Sequence, residues 1–473
     1  MSRVKIVATI GPRTKSPDSV RALRGAGMDV ARFNGSHADL DWHREAIGVL
    51  RSVAPEVPIL FDIPGRKIRV GQLKGERSFN VNETVVFTTD ADDAGDSKVP
   101  VTSSDLHRYV TAGSVILADE GTIRFTVSEV NGRNIICRAD HAGVLRSSKG
   151  INIPAVLFKQ DPVSGRDRQM IAFAKEQGVD FVGISFVGRA EHVDTIRSLI
   201  GKGGPQVVAK IETQEAIHHL EEVVKASDVL MIDRGDLSAE TELESVSLLQ
   251  KQILRLAREE GKPVIVATDM LQSMMQNPFP SKAEVSDISN AVLDGAAALM
   301  LSGETAIGNF PVEAVALMRR VADTVAEHVQ HSLDEENNDR VREVPQAMAD
   351  AVALVCRRLP VTKIVAITIS GYAARIVAMR MPRQPILAVS NNRGNARSFN
   401  MLPGTEGVYI DIPFSRTSTD HIAHCLKELW RLGKLTDEDV VLVTSVGYPK
   451  SGNRMNLIQT HNVADLKESL GWR

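Results

Sequence analysis

The sequence predicts an α/β chain: a (β/α)8 TIM barrel, interrupted by a small β-barrel lid domain and followed by a C-terminal α/β domain. Three observations lead there. Short β-branched apolar runs recur eight times, helix-period stretches lie between most of them, and the alternation breaks once, after the third run. At 473 residues the chain is too long for one core, so two or three domains are expected.

The eight runs are KIVATI (5–10), DVARF (29–33), PILFDI (58–63), FVGISFV (181–187), VVAKI (207–211), VLMID (229–233), VIVAT (264–268) and AALMLSG (297–303). Each is apolar on both faces, as a parallel strand covered by helices must be. Segments such as SPDSVRALRGAGM, RQMIAFAKEQG, TQEAIHHLEEVVKAS and ESVSLLQKQILRLAREEGK carry apolar residues at helical spacing. Several end in Gly beside a cation, which stops a helix. Residues 66–150 switch to short alternating strands, with EVNGRN as a hairpin signal, and Gly65 and Gly150 beside the junctions suit hinges. Residues 334–346, DEENNDRVREVPQ, read as a polar, helix-poor linker. The predicted domains are residues 1–65 with 151–333, a catalytic barrel; 66–150, a lid; and 347–473, an α/β unit with a regulatory role in prospect.

Composition narrows the function. A formal charge of -3 supplies no basic stripe for nucleic acid and no polybasic tail for membranes. Cys137, Cys356 and Cys425 lie far apart and without metal-ligand spacing, so they read as core thiols. MSRVKIVATIGPR enters an apolar strand at once, and no run reaches the length of a membrane span, so a cytoplasmic protein is expected.

In such a barrel the C-terminal strand ends form the active face. Here those ends are polar: Arg32-Phe33-Asn34-Gly35-Ser36-His37, Asp62, Ser185, Lys210 with Glu212, Arg234-Gly235-Asp236, Thr268 and Glu304. Lys210 and Glu212 are two apart on a strand, so they share a face and can both point inward. A buried charge needs a partner. Glu212 with Asp236 would form an oxygen-rich site suited to Mg²⁺, which keeps its other positions for water and substrate oxygens. Lys210, Arg32 and the amides around Gly235 would then face a phosphoryl group in transit, whose transfer needs positioning and positive charge above all. Read alone, Lys210–Glu212 is also compatible with a structural ion pair; the polar strand ends shift the balance further to chemistry.

KIVATIGP, MDVARFNGSH, KGINIP, EQGVDFVGISFV, AKIETQEA, RGDL, GKPVIVAT, SDISNAVLDG and MLSGETAIGNFPVEAV, in that order, resemble the segments of pyruvate kinases over nearly the whole chain. The resemblance implies reversible phosphoryl transfer from phosphoenolpyruvate to ADP, giving pyruvate and ATP, with Mg²⁺ or Mn²⁺, and a homotetramer. By position it makes Glu212 and Asp236 the metal carboxylates, Lys210 the stabiliser of the phosphoryl group and Arg32 a phosphate contact. Thr268, Gly235 and Asp236 would hold the substrate carboxylate, with Thr268 near the proton path and Ser185 and Phe186 lining the pocket. Pro12, His37, Trp42, Arg69 and Lys149 match nucleotide contacts, and Asn34, Ser36 and Asp62 a monovalent-cation site. Lys67 occupies the position that is Lys in potassium-independent members, which implies activity without K⁺.

The resemblance frays at the pocket. Asp233 stands where Ala is usual and Asp269 where Gln is; Thr213, Gly35, Pro64, Arg66 and Gly188 also depart. Two added carboxylates at an anionic substrate's site lead to two expectations. Either they face cations such as Lys262, Arg234 or Lys282, or solvent; or they recognise an amino or guanidino group on a different enol phosphate or 2-keto acid. A nucleotide-binding regulator without turnover is a third reading, opposed by the retention of Lys210, Glu212, Asp236, Thr268 and Arg32. TISGYAAR resembles a phosphate-effector loop, but Tyr372 and Ala373 cost it a hydroxyl donor.

Overall fold

Eight parallel strands close into a barrel in the computed structural model, which describes residues 2–65, 67–90, 97–119, 121–154, 163–328, 344–414, 418–446 and 455–472. The strands are β1 (Lys5–Thr9), β2 (Val30–Asn34), β3 (Ile59–Ile63), β4 (Phe181–Ile184), β5 (Gln206–Ile211), β6 (Val229–Asp233), β7 (Val264–Ala267) and β8 (Ala298–Leu301). Each predicted run supplies one of them. Helices follow most strands, with stops as expected: Pro17–Ala26 begins under a Ser16 cap and ends at Gly27, whose φ of 119° suits only glycine.

The period-two alternation of the strands sorts the barrel into layers. Val7, Val30, Leu60, Phe181, Val208, Met231, Ile265 and Ala298 meet in the barrel's interior, while Ile6, Ala31, Phe61, Val182, Ala209, Ile232, Val266 and Leu299 pack outward under the helices. One step of two residues toward the C-terminal end, the same inward face carries Thr9, Arg32, Asp62, Gly183, Lys210 and Asp233. A greasy interior is thus capped by a charged layer at its C-terminal mouth.

Between β3 and β4 lie a seven-stranded sheet and a two-stranded ribbon with their own core around Phe79, Phe87 and Phe125. The EVNGRN signal is the turn between strands Ile123–Asn131 and Asn134–Ala139, with Gly132 at φ 56°. The insert joins the barrel by two short antiparallel stalks, Ile68–Arg69 and Gly150–Asn152. Gly65, at φ 59°, leaves no room for a side chain, because an added Cβ would lie 2.6 Å from the Ser185 carbonyl oxygen.

Of the expected linker, residues 334–343 lie outside the described residues, and so does Arg66. The linker's end differs from expectation: helix Val344–Arg358 starts at Val344, because Pro345 is tolerated in a helix's first turn. A five-stranded sheet follows, with only its edge strand Leu457–Asn462 antiparallel. This α/β unit seals the barrel's other end. Met401 joins the interior cluster, Lys5 Nζ donates to the Thr405 carbonyl at 2.8 Å, and the Gly404 amide donates to the Ser2 carbonyl at 3.0 Å. Asp180 is buried at the seam, accepting from Arg51 at 3.0 Å, from Arg397 at 2.7 Å and from the Ile59 amide at 2.8 Å. The TISGYAAR loop faces this seam too: Ser370, Gly371 and Arg375 line a cavity of ≈ 20 Å³ against the barrel floor, room for about one water. No helix among the described residues is long and apolar enough to cross a membrane.

Candidate active site

Strand parity brings Lys210 and Asp233 inward on neighbouring strands, and Glu212 follows directly after β5. Lys210 Nζ sits in contact with Glu212 Oε1, 2.9 Å from Asp233 Oδ2 and 3.2 Å from Ser185 Oγ. Burial disfavours the lysine's charge, but Asp233 and Glu212 outweigh it and hold the pKa above the ordinary lysine range. Asp233 is buried as well, yet the Lys210 charge and hydrogen bond keep it below the usual carboxylate range. Glu212 goes the other way: burial, with Asp233 and Asp236 alongside, pushes it up to about 8 against the pull of Lys210.

Asp236 arrives on the short helix Arg234–Glu240 directly after β6. Carboxylate oxygens of Glu212, Asp233 and Asp236 all lie within 4.8 Å of one another, and all three residues are buried. Hard oxygen donors in that number suit Mg²⁺ or Mn²⁺ rather than a softer metal. The expected pair of metal carboxylates is therefore brought together, with a third beside it.

The other added acid is placed differently. Asp269 is exposed at the mouth. Of the three expected cations, Lys262 and Arg234 are engaged elsewhere, and Asp233 pairs with Lys210 rather than with Lys282: Lys262 donates to the Lys225 and Ser227 carbonyls, and Arg234 pairs with Asp287 while donating to the Thr268 carbonyl at 2.7 Å. Asp233 spends its charge on Lys210 instead, which leaves an amino-group recognition site resting on Asp269 alone.

Arg32 Nε donates to Asp62 Oδ2 at 2.7 Å and its Nη1 to Thr9 Oγ1 at 3.2 Å, all buried. Gly183 makes this pair possible. A Cβ there would fall 1.8 Å from Asp62 Oδ1, so any side chain on β4 at this level evicts the carboxylate. Gly35 is forced in the same way, with the Asp62 carbonyl oxygen 2.7 Å from where a Cβ would stand. Asn34 Oδ1 accepts from the Ser36 amide at 3.1 Å. Lys67, expected to serve that monovalent-cation site, directs its ammonium to Asp236, at 2.6 and 2.7 Å from the two carboxylate oxygens.

Three residues at the mouth hold left-handed backbone that non-glycine residues rarely adopt: Phe186 (φ 56°), Thr268 (φ 68°) and Asp269 (φ 54°). Hydrogen bonds fix two of them. The Phe186 amide donates to Glu212 Oε2 at 2.7 Å, and Thr268 Oγ1 accepts from the Gly235 amide at 2.9 Å. Glu304 plays a structural part, accepting from the Leu271 and Ser302 amides.

Around the rim stand the nucleotide candidates. Pro12 and His37 lie on loops after β1 and β2, and Trp42 lies on the helix Leu40–Val53 with Lys15 Nζ 5.9 Å from its ring. Arg69 and Lys149 come from the stalks, donating to the Ser148 carbonyl and pairing with Asp119 respectively. Burial, then the charges of Arg69 and Arg32, lower the pKa of His37, so stalk and barrel rim act on one another. Thr9, Gly183, Asn152 and Glu240 went unread in the sequence; only the glycine inside a strand run gave a signal, and its cause sits on another strand.

Comparison with known proteins agrees with this geometry. Residues 1–315 match the family described as pyruvate kinase, barrel domain, and residues 346–461 that described as pyruvate kinase, alpha/beta domain. Pyruvate kinase of Thermococcus litoralis is 35% identical over 477 residues, spanning 97% of this chain and 98% of that protein. Pyruvate kinase of Mycobacterium tuberculosis is 36% identical over 474 residues, 98% of this chain and 99% of its own. That of Bacillus licheniformis is 34% identical over 479 residues, 98% and 81%. A parallel barrel with a clamped ammonium among acids at its C-terminal mouth defines, with these matches, an enzyme of the phosphotransferase class. The chain belongs to the pyruvate kinase family.

Proposed function

We propose that the chain transfers a phosphoryl group reversibly from phosphoenolpyruvate to ADP, giving pyruvate and ATP. One observation carries this: Lys210, Glu212, Asp236 and Thr268, from three different strand ends, converge on the barrel's charged mouth. A divalent ion bound between Glu212 and Asp236, Mg²⁺ or Mn²⁺, would supply charge that draws electron density from the phosphoryl oxygens. Lys210, kept protonated by its two acids, would donate to the same oxygens as the bond to the enol oxygen breaks. Arg32 would hold phosphate. Gly235, Asp236 and Thr268 would receive the substrate carboxylate, which would take over the Gly235 amide from Thr268 Oγ1; that hydroxyl, which donates to the Ala267 carbonyl at 2.6 Å, would turn from it to pass a proton toward the enolate carbon. Ser185 and Phe186 would line the pocket, with Asp233 and Asp269 setting its charge.

Pro12, His37, Trp42, Arg69 and Lys149 would bind the nucleotide, and the insert would close over it to exclude water. We assign residues 1–65 and 151–333 to the catalytic barrel, 66–150 to this lid and 347–473 to the C-terminal unit. Equal X-ray scattering radii with and without Mg²⁺ and ADP would remove the lid from the scheme. Lys67 supplies a positive charge inside the mouth, so activity without K⁺ is expected; an enzyme inert until K⁺ is added would refute it. A cytoplasmic homotetramer is the matching cellular form, to be checked by sedimentation.

The deciding experiment is ADP-dependent loss of phosphoenolpyruvate in a coupled assay with Mg²⁺ and no K⁺. Rapid turnover, abolished in Lys210→Met, supports the proposal. Nucleotide binding with no turnover, or turnover only with another enol phosphate, would overturn it.

A further inference from the structure

We propose that Lys67 is a tethered cation that occupies the Asp236 carboxylate until a divalent ion takes it, and that this exchange ties ion binding to the position of the inserted domain. The inference rests on the reading of Asp236 as a ligand of that ion.

The contact is made with both oxygens. Lys67 Nζ lies 2.6 Å from Asp236 Oδ1 and 2.7 Å from Oδ2, with both side chains largely buried. An ion approaching Asp236 therefore meets an ammonium already seated there and has to displace it. The seat fits closely around the lysine's stem: a Cβ at Gly150 would fall 2.5 Å from Lys67 Cε, so a larger residue at that stalk position would push the stem aside. A second resting place is near, since the Phe186 ring centroid lies 5.6 Å from Nζ and a ring face attracts a displaced ammonium.

Lys67 is also part of the insert's attachment. It precedes the stalk strand Ile68–Arg69, which pairs with Gly150–Asn152 through Gly150↔Arg69 and Ile151↔Ile68. The second stalk makes its own bond to the barrel, Asn152 Nδ2 donating to Glu240 Oε1 at 3.1 Å. Asp236 and Glu240 belong to one helix, Arg234–Glu240, four residues apart and so on one face. Both stalks are thus fastened side by side to the helix that carries the metal carboxylate. Loss of the Lys67 fastening leaves the insert held there by Asn152–Glu240, free to turn about it.

Full-length protein with Mn²⁺ alone as probe tests this, reading ion binding by the electron paramagnetic resonance of free Mn²⁺ and stalk mobility by hydrogen exchange at residues 68–70 and 150–152. In the wild type Mn²⁺ should speed exchange in both stalks. Lys67→Met should bind Mn²⁺ roughly tenfold more tightly, the size of one lost charge-assisted competitor, with stalks already fast and unaffected by the ion. Gly150→Ala, which crowds the stem while keeping the ammonium, should show the same pattern and guards against a folding defect particular to position 67. Mn²⁺ bound with unchanged stalk exchange in the wild type, or Lys67→Met binding no more tightly, would overturn the latch while leaving the metal site standing. Failure of the wild type to bind Mn²⁺ would remove the metal reading itself, and the latch with it.

Discussion

Lys210 is held by two acids where one would suffice for charge balance, and the consequences differ for each partner. Lys210→Met should lower kcat at least about 100-fold, as loss of a preorganised charge at the transferring group does, with circular dichroism unchanged. Asp233→Ala should lower KM for phosphoenolpyruvate roughly threefold to tenfold, because it removes a negative charge from an anion's site at low local dielectric. Asp269→Gln, at an exposed position, should leave KM within about twofold. Equal effects from the two substitutions would show that burial and the Lys210 contact do not distinguish them. The inward aim of Lys210 was legible from alternation in VVAKI, whereas the direction of Asp233 at the end of VLMID was left open between other cations, solvent and substrate. Their pairing was not, because it depends on the register between two strands twenty-odd residues apart, which no local pattern records.

At the scale of elements, the charged mouth depends on glycines whose reasons are non-local. Gly183→Ala would drive a methyl group into Asp62 Oδ1 and break the buried Arg32–Asp62 pair, so a loss of about 3–5 kcal/mol in denaturant unfolding is expected, with activity falling in parallel. A variant as stable as the parent would mean that β4 shifts to accommodate the methyl. In FVGISFV the sequence showed a weak point in a strand; it could not show that the neighbour's carboxylate fills the gap. The strands themselves and the hairpin at EVNGRN were readable, since each rests on residues adjacent in the chain. The start of helix Val344–Arg358 inside an apparent linker was missed because it directly follows the polar run 334–343 and carries Pro345 in its first turn, which together look like a loop.

Across the whole molecule, Asp180 gathers an arginine from the barrel and one from the C-terminal unit on a single buried carboxylate. Asp180→Ala should separate the melting of the two units, giving a second calorimetric transition where the parent has one; a single transition at an unchanged temperature would refute the coupling. The three cysteines are a global probe. Burial pushes Cys137 and Cys425 up to about 12 and Cys356 to about 11, so below those values the thiols stay protonated and poorly nucleophilic. Iodoacetamide at pH 8 should leave all three unmodified in the native protein and alkylate all three in urea.

Met401 plugging the barrel's floor bears on how the polypeptide is made. Lys5 and its acceptor Thr405 are 400 residues apart, so a ribosome releases the first long before it has built the second. Throughout that interval the nascent cylinder stands open at its base, an unpaired ammonium beside bare hydrocarbon. A fragment truncated ahead of the last unit should keep that defect permanently and be bound by chaperones or lost to aggregation.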